Sequence, residues 1–417
     1  MAYTQTTSTS FGSRLGSAFK GILFGIVLIV AGTILLWWNE GDFVATGDAL
    51  REAQTVTQEL GDISRVDVSK NGQLVHATGP AETKDILTDP IFGLSINAIR
   101  LERTVEFYQW TEQSKSEKKK KLGGGEETVT TYTYSQKWSR SPVSSSSFKD
   151  PDAQKNNRNF ILANVSDFSA QATNVSFGAY RLPGFMINSI GGAVALNVDI
   201  PEEKLHALNK QVNDAARQAV AQDVPEATEV PMVHVSGNTV LLSKSLGMPA
   251  IGDVRITFSE TRPDTISILS KVNGDTFEQY VAKNGKTVSK IVMGKSSLEN
   301  MYDAAHSSNV TMTWILRFGG AFLVILGLVF ITAPLGVLAS VIPILGDIVG
   351  AGTGIVSTLL GLTWSLIVIS IAWLRFRPVI GILMIAVAVA LIVLLYLRGH
   401  SRKAAKAKEA PAAAIGG

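Results

Sequence analysis

The sequence predicts an α+β membrane protein in which a β-rich extracytoplasmic domain is inserted between one N-terminal and three C-terminal transmembrane helices. Three observations carry that prediction. Gly21 to Trp38 are 18 consecutive uncharged, mostly aliphatic positions; a second apolar territory opens at Met312, with one charge, Asp347, in the 57 residues between Arg317 and Arg375; between them the chain alternates as strands do. Composition agrees. The 417 residues are 46% hydrophobic and 18% charged, below the roughly 25% charged of an ordinary soluble domain.

Residues 1–20 form a short N-terminus expected in the cytoplasm, followed by a first span over 21–38. That run is longer than the apolar part of a cleavable signal, and Trp37, Trp38, Asn39 and Glu40 stand where small cleavage-site residues belong, so it reads as an uncleaved anchor. Pro334, Gly336, Pro343 and Gly346 interrupt the second territory. Spans are therefore expected over 312–333, 348–374 and, after Arg377-Pro378, 379–397, with 334–347 as an interfacial or re-entrant piece too short to cross. Residues 398–417 form a basic cytoplasmic tail, expected disordered.

Sidedness follows the Lys/Arg flanks: Arg14 and Lys20 precede the first span, and Arg398, Arg402, Lys403, Lys406 and Lys408 follow the last. Four spans return the chain to the same side and leave 39–311 outside. The net charge of +3 divides accordingly, leaving about −5 on the middle region. Arg375 and Arg377 would then lie on the outer side, against the usual bias.

Within 39–311, RLERTVEFYQW (100–110) and TVTTYTYSQKW (128–138) read as paired strands, with the charged, glycine-containing SKSEKKKKLGGGEE between them as a solvated hairpin tip; a basic docking site is the sharper alternative. DVRITFS (253–259), TISILSK (265–271) and KTVSKIVM (286–293) read as further strands. Pro201 to Ala221 reads as a helix whose Leu205, Leu208, Val212, Ala215 and Ala219 face the core, a partner helix being the alternative occupant. A loose likeness between residues 71–110 and 237–259 raises an internal duplication and two related subdomains.

Chemistry is sparse. There is no cysteine, which excludes disulfides, thiolate metal sites and cysteine nucleophiles. His76, His206, His234, His306 and His400 lack ligand spacing, and no phosphate loop or nucleophile elbow is present, so no metal or cofactor is expected. Nothing selects the acid pairs Glu126-Glu127 and Glu202-Glu203 for acid–base work. Nucleic acid is not an expected partner, since the middle is acidic and the basic tail lacks aromatics; the tail suits anionic headgroups. Sequons stand at Asn164, Asn174 and Asn309.

Inside the membrane, Gly21 with Gly25, Gly346 with Gly350, and Gly350 with Gly354, followed by Gly361, allow close helix approach, either within one subunit or between copies. Asp347 reads as the cap of the following helix or as a functional acid, with Arg375 and Arg377 as formal partners. Arg317 is placed to snorkel to the outer interface.

These residues resemble the LUMA (transmembrane protein 43) family. The likeness rests on Asp89-Pro90 with Gly93, the run Val105-Glu106-Phe107-Tyr108-Gln109-Trp110, Tyr132, Tyr134 and Trp138, then Gly252-Asp253-Val254-Arg255 and Phe258. It continues through Pro343, Asp347-Ile348-Val349, Gly352, Ala372-Trp373-Leu374 and Arg377-Pro378. The resemblance implies an N-terminal span, a large lumenal or extracytoplasmic domain and a C-terminal group of spans. Animal members are endoplasmic-reticulum and inner-nuclear-membrane proteins that self-associate and organise lamins and emerin. The missing cysteine and the Lys-Ala-rich tail point to a bacterial member in an inner membrane, with a periplasmic domain; such a cell has neither lamin nor emerin.

The resulting expectation is a non-catalytic, homo-oligomeric membrane scaffold that organises a lipid patch or unidentified partner proteins. A transporter or channel using the broken segment around Asp347 is the alternative. An extracytoplasmic enzyme has no motif behind it, and a concave polar pocket in 39–311 would keep that class open.

Overall fold

The computed structural model describes residues 2–150, 157, 165–219, 232–244, 246–379 and 381–383. The chain divides into two compact units, one of residues 1–9, 49–119 and 126–306, the other of 10–48, 120–125 and 307–417.

The first unit holds two large sheets. One runs in the order β1 (Ala2–Thr9), β7 (Glu126–Ser139), β6 (Arg100–Lys120), β14 (Val254–Thr261), β13 (Thr239–Leu242), β12 (Val233–Ser236), with β8 (Phe168–Gln171) on β6 and β11 (Val194–Ala195) on β14. The other runs β19 (Lys290–Met293), β15 (Asp264–Asn273), β16 (Thr276–Glu278), β10 (Tyr180–Arg181), β9 (Val175–Phe177), β3 (Leu74–Thr83), β2 (Gln58–Glu59), and β15 also pairs with β3. Two small hairpins, β4–β5 (Ile86–Thr88, Ser95–Asn97) and β17–β18 (Tyr280–Val281, Thr287–Val288), and helices α2 (Gly184–Ile187) and α3 (Glu202–Ala219) complete it.

Alternation decides which residues meet. Leu101, Arg103, Val105 and Phe107 of β6 are buried, and the antiparallel register sets Phe107 opposite Val254, Val105 opposite Ile256 and Arg103 opposite Phe258. Leu208 and Val212 of α3 enter the same core, with Leu205 packed against it. A second core gathers Val75, Ala77, Phe177, Tyr180, Ile266, Ile268 and Phe277 around the other sheet. A third closes the unit's neck. Ala49, Leu50 and Ala53 from the end of α1 (Phe11–Val56) pack with Met301, Tyr302 and Ala305 at the start of α4 (Leu298–Ala339). There the Thr57 and Tyr302 hydroxyls lie 2.7 Å apart, and the Tyr280 hydroxyl donates to Glu52 at 2.7 Å.

Several expectations change. Strand structure runs through SKSEKKK to Lys120, so the expected solvated tip shrinks to a turn closed by Lys121 N to Gly125 O at 2.8 Å. Cross-strand partners sustain it: Ser116 and Thr130 hydroxyls are 2.9 Å apart, and Lys118 meets Glu126 at 3.4 Å. The N-terminal residues add a strand not expected from the sequence, since Ala2–Thr9 pairs along β7 from Thr133 to Glu126. The two stretches of the suspected duplication are not equivalent: β3 and β13 lie in different sheets, while β6 and β14 are direct neighbours.

In the second unit, three of the described helices, α1, α4 and α5 (Pro343–Phe376), are long and apolar enough to cross a membrane. Their spans are longer than the apolar runs alone. Helix α4 continues through Pro334 to Ala339, and α5 starts at Pro343, where a missing N–H costs nothing. The segment 334–347 is thus a helix end, a short turn and a helix start. The fourth expected span, 379–397, lies outside the described residues beyond its first turn, as does the tail.

Candidate functional site in the helix bundle

Asn39 and Glu40 follow two tryptophans where α1 turns from wholly apolar to mixed. The chain keeps both inside. Glu40 is 1% exposed, and its carboxylate accepts from Arg317 Nε at 2.6 Å and Nη2 at 2.8 Å, a two-pronged geometry that a guanidinium fork allows. Trp373 of α5 donates Nε1–H to the same carboxylate at 2.8 Å. The Arg317 guanidinium sits 4.9 Å from the Trp314 ring and 5.6 Å from the Trp373 ring, within cation–π range. One carboxylate therefore ties three helices.

Hydrogen bonds continue around it. Asn39 Nδ2 donates to Thr313 O at 3.2 Å, Thr313 Oγ1 to Asn309 O at 2.7 Å, and Asn309 Nδ2 to Phe43 O at 3.0 Å. Arg377 lies 4.3 Å from the Phe43 ring, and Phe376 packs 5.6 Å from Trp37. A low-dielectric surrounding strengthens each bond and penalises any partner left alone.

Below this cluster the helices touch backbone to backbone. A Cβ on Gly25 would meet Gly327 O at 2.5 Å, and one on Gly327 would meet Gly25 O at 2.5 Å; a Cβ on Gly32 would meet Gly320 O at 2.7 Å. Both pairs are spaced by seven residues on antiparallel helices, two turns apart, so one face repeats the contact. Farther along, Trp364 donates to Thr33 Oγ1 at 2.9 Å.

The expected residues divide. Gly21 and Gly25 face α4, Gly361 packs on Ile325, and Gly346 abuts Ser340, all within this chain. A Cβ added at Gly350 or Gly354 would meet no atom within 4 Å, although the Gly350 backbone lies beside Gly336. Arg317 does not snorkel outward, because a carboxylate within the bundle offers a better partner than the interface. Asp347 is not a cap: Ile342 holds that position, and Asp347 lies a turn inside α5, paired with Lys120 at 2.8 Å. Arg375 and Arg377 lie near Phe376 and Phe43, and neither is Asp347's partner. The expected sidedness would separate Lys120 from Asp347; within this unit they form an ion pair.

Glu40, Trp373's role, Gly32, Gly320 and Gly327 escaped sequence reasoning. Glu40 carried a faint signal as the acid closing a span, with Arg317 the matching cation opening the next; the glycines carried theirs in the seven-residue spacing.

The first unit explains the other family positions. Buried Asp89 accepts from the Ile91 and Phe92 amides at 2.9 Å and pairs with buried Arg103, while Gly93 turns the chain at φ 68°. Arg255 joins Glu106 at 2.7 Å and lies 4.5 Å from the Trp138 ring. Asp253 binds Ser243 Oγ and Ala250 N at 2.8 Å each, and burial pushes its carboxyl up despite them. His76 stands between the Glu59 carboxylate at 2.8 Å and Ser296 O at 2.9 Å. Asn174 is exposed and bound to Asp85, whereas Asn164 lies outside the described residues.

An open groove of about 930 Å³ in this unit is lined by Lys84, Asn97, Asn174 and Arg181 among others. Several of its polar groups are committed to the fold: Asn97 donates to Thr83 O and Asp85 O, and Arg181 pairs with Asp275. Among the described residues no group of three or more His, Cys, Asp or Glu converges as metal ligands.

The family model for transmembrane protein 43 matches residues 107–378. Rat transmembrane protein 43 is 26% identical over 410 residues, 96% of this chain and 95% of the relative. The human protein is 24% identical over 410 residues, 95% of each. The Drosophila melanogaster homologue is 26% identical over 385 residues, 89% of this chain and 93% of its own length. No solved structure matches significantly. A chain with these helices and this coverage belongs to the transmembrane protein 43 family, and is an integral membrane protein of it.

Proposed function

We propose that the chain is a non-catalytic membrane scaffold whose locked helix bundle associates with further copies through the face of α5 that carries Gly350 and Gly354. The division among the glycines is the observation behind this reading. Gly25, Gly32, Gly320, Gly327 and Gly361 face neighbouring helices of the same chain, whereas a Cβ added at Gly350 or Gly354 would meet nothing within 4 Å among the described residues. A strip without side chains lets a second helix approach closely enough for dispersion contacts to hold it in lipid. The Glu40–Arg317–Trp373 tie supports the same role, since a fixed bundle presents that strip as a rigid surface.

Native mass spectrometry in mild detergent tests this. The wild type is expected as an oligomer, and Gly350→Leu with Gly354→Leu is expected to release monomers; a strictly monomeric wild type removes the mechanism. The transport alternative drew on a broken segment and a lone acid. Unbroken helix on both sides of a tight turn, and a Lys120-paired Asp347 whose side chain is 72% exposed, leave it without that motive.

A further inference from the structure

His76 is 6% exposed on β3, and both of its ring nitrogens face oxygens. Nδ1 lies 2.9 and 2.8 Å from the two carboxylate oxygens of Glu59 on β2, and Nε2 lies 2.9 Å from Ser296 O, in the segment between β19 and α4. An ionised carboxylate and a backbone carbonyl only accept, whereas a neutral imidazole offers one N–H and one lone pair. Both contacts are therefore satisfied together only by a ring that carries two protons. The two arms differ in freedom. Ser296 is fixed from behind: its N–H donates to Ser267 Oγ at 2.8 Å, and that hydroxyl donates to Gly294 O at 2.9 Å and lies 2.8 Å from Thr78 Oγ1. The Glu59 side chain is 63% exposed and can exchange the ring for water.

We propose that His76 is a protonation-gated clasp between the two ends of the β-rich insertion: with two protons it holds Glu59 and Ser296 O at once, and with one it lets the Glu59 arm go. Glu59 follows the end of α1 at Val56, and Ser296 precedes the start of α4 at Leu298, so the clasp sits where the chain enters and leaves the insertion. Because Ser296 cannot turn away, the neutral ring keeps Nε2–H on its carbonyl and sets a bare Nδ1 against the carboxylate, which swings into water. Strand β2 then keeps only its short backbone pairing with Val75 and His76 and the bond from Leu60 N to His76 O at 2.9 Å. The other charges around the ring are committed or exposed. Beside Glu59, Gln58 takes Lys70; on β15, Leu269 stands opposite His76 and Lys271 is held by Glu278 at 2.7 Å. Lys290 of β19, opposite Leu269, is exposed, as are Lys295 and Glu299 on either side of Ser296. From α1 and α4, Glu52 accepts from Tyr280, and the Tyr302 hydroxyl meets Thr57. None of these is bonded to the ring, so the His76–Glu59 pair sets the gate. The assignment does not depend on self-association.

Solid-state NMR on the full-length protein, labelled at the histidine ring nitrogens and reconstituted in proteoliposomes, tests this. The His76 signals are those absent from His76→Gln or, should that variant not fold, those that move in Glu59→Gln. At about pH 5 the ring is expected to show two protonated nitrogens, and at about pH 8 a protonated Nε2 beside a bare Nδ1. Hydrogen exchange, corrected for the intrinsic rate at each pH, supplies a second readout. Protection over residues 57–62 is expected to fall several-fold between the two conditions while residues 294–297 stay protected. Glu59→Gln, at an exposed side chain whose amide can meet either form of the ring, is expected to abolish that step. A ring with a single proton in the acidic sample overturns the assignment, and so does a step that persists in Glu59→Gln. A neutral ring that keeps Nδ1–H overturns it as well, since Ser296 would then be the arm released.

Discussion

The molecule uses one chemical device twice, and the two uses differ in what they hold. In the β-rich unit Asp89 pairs with Arg103, whose guanidinium lies 5.7 Å from the Phe92 ring and 5.2 Å from the Phe168 ring. In the bundle Glu40 pairs with Arg317 between Trp314 and Trp373. Each is a buried carboxylate and guanidinium with aromatic faces around the cation. The first pair braces a local turn, because Asp89 also caps the amides two and three residues ahead. The second joins segments 277 residues apart and recruits a third helix through Trp373. Burial of a matched pair adds little net stability by itself, so its value lies in excluding other arrangements. In the sheet unit that means one turn conformation; in lipid it means one helix register.

The comparison is sharpened first by removing the acids. Asp89→Ala is expected to destabilise most, since it strands Arg103 at a cost of about 3–5 kcal/mol and removes a cap of about 1 kcal/mol. Glu40→Ala is expected to cost about 3–5 kcal/mol in thermal unfolding in detergent. Hydrogen exchange should separate them, with the β4–β5 region opening in the first and the helices in the second. Identical exchange maps would break the distinction between local brace and helix clamp. Glu40→Gln combined with Arg317→Met should recover much of the single-variant loss, because no charge is then left alone; an additive loss would show that the two residues act independently.

Smaller effects follow. Gly32→Val places a methyl group against Gly320 O and is expected to cost about 1–3 kcal/mol through overpacking, while Gly354→Val should leave the stability of the monomer unchanged. Smallest is the titration of Asp253. Its carboxyl is raised from an ordinary value of 3.8 by burial, so the stability tied to its protonated form is fully present below that value and lost as pH rises through the folded one. Asp253→Asn should therefore flatten the stability profile on the alkaline side of pH 4; an unchanged slope would mean that the buried carboxyl contributes nothing there.

Much of the architecture was legible because it depends on short-range pattern. The run from Gly21 to Trp38 can only be a lipid-facing helix, and alternation in 100–110 fixes which residues of β6 turn inward. The hairpin's full reach was not legible: Lys118 to Lys120 have no strand preference, and only pairing with β7, itself flanked by β1, makes them extended. The bundle site was hidden for a related reason. A lone glutamate after a span reads as the point where lipid ends, and its meaning appears only when Arg317, nearly three hundred residues later, is laid beside it. Glycine spacing alone did not separate the two uses, since in the tightest sequence cluster Gly346 abuts Ser340 and the Gly350 backbone lies beside Gly336, while a Cβ on Gly354 would meet nothing.

The neck at Thr57 and Tyr302 brings the beginning and end of the β-rich insertion side by side, although most of the unit's sequence separates them. Adjacent ends make a transplantable cassette. The insertion can be exchanged between relatives without stretching its ends, provided that the strand Ala2–Thr9, the hydroxyl contact and the small residues Ala49, Ala53 and Ala305 travel with the graft.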